Sequence, residues 1–268
     1  MEFIMKLCFS TLGCPDWDFE TIVKNAADTG FCGVEVRGIK DELMSHLIPA
    51  FLPENQDETN ELLKRNGVKI CGLGTSVSFQ DFENRAAKLD EGRRAVDLCR
   101  QMNIPFARVF GDYIVDQHTV GNVISGIAEL CEYSHGSGVK LLLEVHGSFN
   151  TVEMLTPVVE ELKGYDNFGI IWDVANSDMV YGKNYRAFYD FIRPYTAHIH
   201  ITDHVIDEDK ISHKIIGEGD VPIREIVREL LTDGFDGCFS LEWEKRWHRE
   251  LAEPEEVFPQ FIRFMESI

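Results

Sequence analysis

Acidic and imidazole side chains stand near the ends of several strand-like segments in the second half of the chain. They are Glu144 in LLLEVHG, Asp173 in FGIIWDVAN, His200 in TAHIHITD and Glu242 in GCFSLEWE. Carboxylates that converge away from water are costly unless they are paired or bind a metal ion. No Lys or Arg lies near enough in sequence, within the first three of these segments, to offset the charge. Together the four residues therefore predict a site for one divalent cation.

The ligand types indicate which metal such a site would take. Three carboxylates and one imidazole suit Mn²⁺, Mg²⁺, Co²⁺ or Zn²⁺, and the set lacks the thiolates that a structural zinc site prefers. Mn²⁺ is our first choice among these ions. Each residue alone has a simpler explanation. A strand Glu can be a solvated edge charge, an inward His can be a hydrogen-bonded core residue, and Asp173 could cap the turn that follows it. The metal interpretation depends on all four standing at matching heights on successive strands.

The segments that would position these residues alternate between strand and helix from end to end. Strand-like runs occur at 6–14, 33–38, 68–76, 106–112, 139–147, 168–176, 196–203 and 237–244, and a helical stretch follows each of them. This alternation is typical of parallel strands joined by right-handed crossovers, and eight units favour closure into a (β/α)8 TIM barrel. No G-x-G-x-x-G follows the first strand, which argues against an open dinucleotide-binding sheet. Because no Pro/Ser-rich linker interrupts the pattern, we predict a single domain over 1–268.

Side-chain alternation assigns the polar residues to the inside of this barrel. His198 and His200 share one face of their strand, opposite Ile199 and Ile201, which we assign to the side that the helices cover. Active sites of such barrels lie at the C-terminal ends of the strands, where the other three candidate ligands also stand. His198, one pleat deeper, and Asp203 are predicted to support the site or to belong to the core.

Two further features bear on substrate recognition. Arg37 and Glu35 lie two residues apart at the end of the second strand and are both expected to point inward, so Arg37 could reach substrate oxygens. A Glu35–Arg37 ion pair at the surface explains both residues equally well. The stretch KIIGEGDVPIREIV could offer backbone amides to a phosphate. However, Asp220 as an N-cap and Pro222 in the first turn explain the stretch as a helix start. A phosphorylated and a free sugar both remain open as substrates.

Composition narrows the class of partner. The 26 Lys and Arg against 46 Asp and Glu give a formal charge of -20, which repels phosphodiester backbones and anionic lipid, so we expect no nucleic-acid and no membrane partner. Seven Cys without a C-x-x-C pair fit reduced thiols. The N-terminal residues show no signal-peptide pattern, and no apolar run reaches the roughly 18 residues of a membrane span. These features predict a cytoplasmic protein.

The motifs LLLEVHG, WDVAN, HIHITD, GEGDVPIREIV and SLEWEKRWH, together with GFCGVEVRG, resemble the xylose-isomerase-like TIM barrels, a superfamily of sugar and sugar-phosphate isomerases and epimerases. The resemblance spans nearly the whole chain. It implies that one divalent metal is bound by a quartet consisting of Glu144, Asp173, His200 and Glu242. It also implies that the two glutamates of this quartet move the substrate proton.

The resemblance further implies a substrate-binding role for His146, the histidine of an E-x-H pattern. Ketose 3-epimerases of the superfamily carry D-x-x-H, whose histidine contacts the sugar, and this chain has Asn176 at that position. Some also carry an Arg six residues after the metal-binding His, where this chain has Ile206. These two departures leave the metal quartet intact but separate the chain from the ketose 3-epimerase pattern.

We therefore predict a metal-dependent isomerase or epimerase of a ketose or ketose phosphate, in which Glu144 and Glu242 transfer protons through a metal-bound enediolate. His146, Asn176 and Arg37 are the predicted substrate contacts. The nearest alternative is a metal-dependent dehydratase of the inosose or dehydroshikimate type, since fold alone does not fix the reaction. A repair endonuclease would need a basic groove, and a non-catalytic sugar-binding barrel would not need the quartet. Homo-oligomers are common among such barrels, but the sequence indicates no interface.

Overall fold

The strands of the computed structural model, which describes residues 5–208 and 210–268, form a closed barrel and one hairpin. The barrel strands are β1 Lys6–Ser10, β2 Gly33–Val36, β3 Lys69–Ser78, β4 Phe106–Phe110, β5 Lys140–Glu144, β6 Phe168–Asp173, β7 Thr196–Ile201 and β10 Cys238–Leu241. The hairpin strands are β8 Asp203–Asp207 and β9 Lys210–Lys214, which pair antiparallel. All barrel strands are parallel, in the order β1-β10-β7-β6-β5-β4-β3-β2, and this confirms the predicted TIM barrel.

Helices cover the outside of the barrel. Within the described residues they are α1 Phe19–Thr29, α2 Gln56–Asn66, α3 Arg85–Met102, α4 Thr119–Ser134, α5 Val152–Leu162, α6 Val174–Tyr181, α7 Arg186–Ile192, α8 Ile223–Thr232 and α9 Pro254–Glu266. Asp18 caps α1 by accepting a hydrogen bond from the Thr21 backbone N at 2.9 Å. Asp220 does not cap α8, because that helix begins after Pro222 and the structure assigns it no side-chain cap among the described residues. No helix in the described ranges is long and apolar enough to cross a membrane.

Two elements differ from the sequence pattern. The stretch that follows Asp173 was expected to continue β6 to residue 176 but forms the helix α6 instead. Its apolar side chains do not gather on one face, so periodicity could not identify it. The long connection after β7 contains the β8–β9 hairpin, which stands over the C-terminal end of the barrel.

The barrel interior changes from apolar to polar toward the C-terminal ends of the strands. Phe106, Leu142 and Ile171 pack together in the lower part of the barrel. Because side chains two residues apart share a face, the next layer up on these strands is formed by Arg108, Glu144 and Asp173. Ile199 and Ile201 are fully buried in the separate core between barrel and helices, as the alternation predicted. The strands therefore carry a buried polar layer just below the loops.

Candidate active site

The predicted metal quartet comes together in this polar layer. One ligand atom from each of Glu144, Asp173, His200 and Glu242 lies within 4.8 Å of all the others, and all four residues are buried. Glu144 ends β5 and Asp173 ends β6. His200 lies within β7, and Glu242 directly follows β10. His200 Nδ1 lies 2.9 Å from Glu242 Oε2 and 3.6 Å from Glu144 Oε1. The structure therefore places the four side chains as one cluster.

The His200 ring has the orientation of a metal ligand. Its Nε2 lies 3.0 Å from Glu35 Oε2, whereas its Nδ1 is buried without a hydrogen-bond partner among the described residues, since its approach to Glu242 lacks hydrogen-bond geometry. A carboxylate that accepts the Nε2 proton leaves the lone pair of a neutral ring on Nδ1, and such carboxylate–histidine pairs orient metal-binding imidazoles. The donor set of three carboxylates and one imidazole thus fits one divalent cation.

Glu35 organises the layer beneath this histidine. Its Oε2 also lies 3.0 Å from His198 Nε2 and accepts a hydrogen bond from Ser240 Oγ at 2.9 Å. Burial alone would raise the pKa of Glu35, but His200 and His198 hold this pKa well below its usual range. Glu35 is only 1% exposed, so the alternative of a surface ion pair with Arg37 is wrong. His198 occupies the supporting position that the sequence predicted.

Arg108 is a charged residue of this cluster that the sequence analysis missed. Its Nη1 lies 2.7 Å from Glu144 Oε2 and 3.7 Å from Glu242 Oε1, and its Nη2 donates to the Thr75 carbonyl at 2.9 Å. No Lys or Arg within β5 to β7 was found near enough in sequence to offset the carboxylates, and the offsetting cation is Arg108 on the neighbouring strand β4. The alternation of FARVFGD, with Phe106 below, would have identified Arg108.

Charge is unevenly distributed among the candidate ligands. Although burial alone would raise it, Arg108 and then His200 lower the pKa of Glu144 to about 2. Burial, followed by repulsion from Glu242 and Glu144, raises the pKa of Asp173 well above its usual range. The carboxylates around His200 raise its pKa in spite of burial. Protons or a divalent cation can balance the negative charge of this cluster.

Asp173 is held by the helix that follows it. Its Oδ1 accepts from the Asn176 backbone N at 2.9 Å, and its Oδ2 accepts from Asn176 Nδ2 at 2.8 Å. The carboxylate therefore caps α6, as one interpretation of the sequence allowed, and it also faces the other candidate ligands. Each carboxylate oxygen has two lone pairs, so capping and metal binding are compatible.

The three predicted substrate contacts line a cavity of about 440 Å³ that opens above the quartet. Arg37 Nη2 donates to Ser76 Oγ at 2.8 Å, while its buried Nη1 has no partner in the part of the chain that the structure describes. His146 packs against the Phe110 ring at 4.9 Å between centroids, and its Nδ1 likewise has no hydrogen-bond partner among described residues. Asn176 lines the same cavity. The structure thus brings all three residues to one cavity, with Asn176 also positioning a candidate ligand.

A second polar group, also missed in the sequence, lies at the cavity rim. Glu244 Oε2 is 3.6 Å from His213 Nε2 and 3.7 Å from His248 Nε2. Burial, together with the negative charges of Glu242 and Glu144, raises the pKa of Glu244 to about 7. Only the unpredicted β8–β9 hairpin brings His213 to this position, so the group has no signature in sequence spacing.

Other predicted or nearby residues lie outside the cluster. The carboxylate of Asp203 accepts hydrogen bonds from the Gly217 and Gly219 backbone N at 2.8 and 3.0 Å, so it fixes the connection after β9. Lys245 Nζ is buried against the Leu251 carbonyl at 2.7 Å and Glu253 Oε1 at 2.9 Å. Asp203 therefore has a structural role, and Lys245 is engaged away from the cavity.

The family model described as "Xylose isomerase-like TIM barrel" matches residues 23–268. The chain belongs to this family. Family membership confirms the resemblance inferred from the motifs and agrees with the barrel topology.

The known proteins that this chain resembles are named for different activities. The chain is 23% identical over 266 residues to fructoselysine 3-epimerase of Shigella flexneri, covering 89% of this chain and 90% of that protein. The solved structure of the probable 3-DHS dehydratase AsbF of Bacillus anthracis, involved in petrobactin synthesis, has a TM-score of 0.80 at 17% identity and covers 98% of this chain and 99% of that one. A structure of the IOLI protein with a binding zinc atom has a TM-score of 0.79 at 18% identity, and the match covers 97% of this chain and 96% of that one. The chain is thus similar in sequence to an epimerase, and its fold is similar to those of a probable dehydratase and of a protein with a bound zinc atom.

Proposed function

We propose that this protein is a divalent-metal-dependent sugar isomerase or epimerase that acts on a ketose. The observation that carries the proposal is the buried His200 Nδ1, which faces three carboxylates while Glu35 holds the opposite ring nitrogen. The likeness to fructoselysine 3-epimerase supports an epimerase-type reaction. Mn²⁺ is our first choice of ion for Glu144, Asp173, His200 and Glu242, and Mg²⁺, Co²⁺ and Zn²⁺ are the alternatives.

The glutamates of the quartet are assigned the proton transfers. When bound, the metal supplies Lewis-acid polarisation of a substrate carbonyl and its neighbouring hydroxyl, which makes the adjacent C–H more acidic. Glu144 on β5 and Glu242 after β10 approach the cluster from strands separated by β6 and β7. One carboxylate removes the carbon-bound proton, and the other returns a proton to the opposite face, which inverts the carbon. If a single carboxylate moves the proton between neighbouring carbons, the product is an aldose–ketose isomer.

The charges around the cavity favour an unphosphorylated sugar. Four carboxylates line it, those of Glu144, Asp173, Glu242 and Glu244, whereas its described arginines and lysines are Arg37 and Arg108. Arg108 already pairs with Glu144 at 2.7 Å. A phosphate would add further negative charge to this wall, so we assign the substrate to the free ketoses and their uncharged derivatives. The volume of about 440 Å³ suits a small molecule of this class.

A deuterium-exchange screen tests this function. Purified protein loaded with Mn²⁺ is incubated in D₂O with a panel of free ketoses and their phosphates, and the products are followed by NMR. We expect exchange at one substrate carbon and reversible interconversion with a free ketose. Irreversible loss of water from a cyclic keto substrate would instead assign the protein to the dehydratases. Absence of any metal-dependent reaction across both panels would contradict the proposed function.

A further inference from the structure

Three cysteines approach one another at the end of the barrel opposite to the candidate active site, and a fourth lies beside two of them. The sulfur atoms of Cys8 on β1, Cys71 on β3 and Cys238 on β10 all lie within 4.8 Å of one another. Cys32, which stands just before β2, is exposed, and its thiol interacts with those of Cys71 and Cys238. We call these four residues the thiol cluster. None of its members takes part in the chemistry proposed above.

The thiol cluster lies where the barrel closes. β1 pairs with β10 on one side and with β2 on the other, so the first and last barrel strands meet here. A Cβ added to Gly33 would lie 2.3 Å from Cys71 Sγ, so the close approach of this sulfur requires glycine at position 33. The backbone of β2 at Gly33 therefore leaves space for the Cys71 thiol on the neighbouring strand β3.

The surroundings of the thiol cluster suit a thiolate-bound cation. Lys6 lies near Cys238 and Cys32 and forms an ion pair with Asp236 at 2.5 Å. His198 on β7 is the register partner of Cys238, and Glu35 is close enough to Cys8 for its charge to act on that thiol. Cys8 and Cys71 are buried, whereas Cys238 is partly exposed and Cys32 is exposed, so the cluster has a buried base and an open side. An ion can enter from solvent at that side.

We propose that the thiol cluster binds one zinc ion, which links the strands where the barrel closes. Its ligands are Cys8, Cys71, Cys238 and Cys32. In a tetrahedral thiolate site the Zn–S bonds are about 2.3 Å, which places the sulfurs about 3.8 Å apart. Three sulfurs within 4.8 Å of one another already approach this spacing, and the exposed Cys32 supplies the fourth ligand. Binding displaces one proton from each ligating thiol and involves no oxidation. The four thiolates and Zn²⁺ carry a net charge of -2, which the Lys6 ammonium partly offsets.

The ligand chemistry distinguishes this site from the quartet. Thiolates select soft or borderline ions, whereas the three carboxylates and one imidazole of the quartet suit harder ones. A zinc ion at the thiol cluster would hold residues from three barrel strands and the start of a fourth, at the face of the barrel where residues contribute to stability rather than catalysis. We therefore assign it a structural role.

Cobalt provides the test, because thiolate–Co²⁺ bonds give a near-ultraviolet charge-transfer absorption that carboxylate and imidazole ligands do not. The reduced full-length protein is titrated with Co²⁺ and then with Zn²⁺. We expect the intensity of the charge-transfer band to reach the value for one thiolate-bound Co²⁺ per chain, whether or not the quartet also takes up Co²⁺, and the band to disappear when Zn²⁺ displaces the cobalt. Cys238→Ser should abolish the band, and Cys32→Ser, at an exposed position that spares the fold, should weaken Co²⁺ binding by on the order of tenfold or more.

Cys99→Ser is the matched control. Cys99 is buried outside the thiol cluster, and its thiol donates to the Phe106 carbonyl at 3.4 Å, a bond that a serine hydroxyl can keep. This variant should bind Co²⁺ as the unchanged protein does. The proposal is overturned if the reduced protein shows no charge-transfer band, or if Cys32→Ser and Cys238→Ser show the same band at the same Co²⁺ concentrations as the unchanged protein. A disulfide between cluster cysteines in protein purified without reductant and kept in the presence of Zn²⁺ would also overturn it.

Discussion

Glu35 Oε2 lies 3.0 Å from His200 Nε2, and both side chains are buried. This contact fixes the imidazole so that Nδ1 points toward the carboxylates of the quartet. Outer carboxylates of this kind typically change metal affinity by about 10–100-fold when they are replaced. We therefore expect Glu35→Gln to weaken Mn²⁺ binding by this factor, measured by competition with a chelator. Glu61→Gln, at an exposed position on α2, is the control, and equal affinity in both variants would contradict the role assigned to Glu35.

Replacing Arg108 should destabilise the fold. Arg108→Met leaves the Glu144 carboxylate buried without its 2.7 Å partner. Loss of one partner of a buried ion pair costs about 3–5 kcal/mol of the free energy of unfolding, which urea denaturation measures. Arg94→Met removes an exposed ion pair with Asp90 and should change this free energy little. Similar losses of unfolding free energy in the two variants would show that the buried Arg108–Glu144 pair stabilises the fold no more than the exposed pair does.

Glutamine at either proposed proton-transfer position should abolish catalysis. Glu144→Gln and Glu242→Gln retain the shape of the side chain but remove the base, and loss of a general acid or base typically lowers the rate by about 10²–10⁴-fold. The measurement is solvent-deuterium exchange at the substrate carbon, with Mn²⁺ at saturating concentration for each variant. Glu218→Gln, at an exposed position outside the cavity lining, should keep full exchange. Exchange retained in both quartet variants would remove these residues from proton transfer.

The affinity of the quartet for Mn²⁺ should fall as the pH is lowered. Burial and neighbouring carboxylates raise the pKa of Asp173, and neighbouring carboxylates raise that of His200, so both groups tend to hold protons that a metal must displace. Binding should therefore release protons and weaken as the pH is lowered through the neutral range. Calorimetry in buffers with different ionisation enthalpies counts the released protons. A count of zero, with an affinity that does not change over this range, would conflict with the charges described for the cluster.

The barrel and the quartet were predictable because both follow from local patterns. Alternation of apolar and polar residues along a strand assigned Glu144 and His200 to the inside, and parallel strands in a closed barrel bring their C-terminal ends together. Arg108 carries the same alternation signal on β4, the strand next to β5. The supporting role of Glu35 was not predicted, because its partner His200 is 165 residues away.

Features that depend on non-local geometry had no comparable signal. The helix α6 was hidden because its eight residues lack an amphipathic pattern. His213 reaches the cavity only because a loop folds into a hairpin. Cys8 and Cys238 are 230 positions apart, so the thiol cluster appears only when the barrel closes.

Manganese binding tests the central claim most directly, because Mn²⁺ prefers oxygen and nitrogen ligands and so distinguishes the quartet from the thiol cluster. Electron paramagnetic resonance counts the Mn²⁺ bound per chain in the unchanged protein and in Asp173→Asn. The side-chain oxygen of the new asparagine can still accept the hydrogen bond from the Asn176 backbone N that caps α6. We predict one tightly bound Mn²⁺ per chain in the unchanged protein and none in the folded variant at the same concentration. Equal binding in both proteins, or no binding in either, would contradict the account.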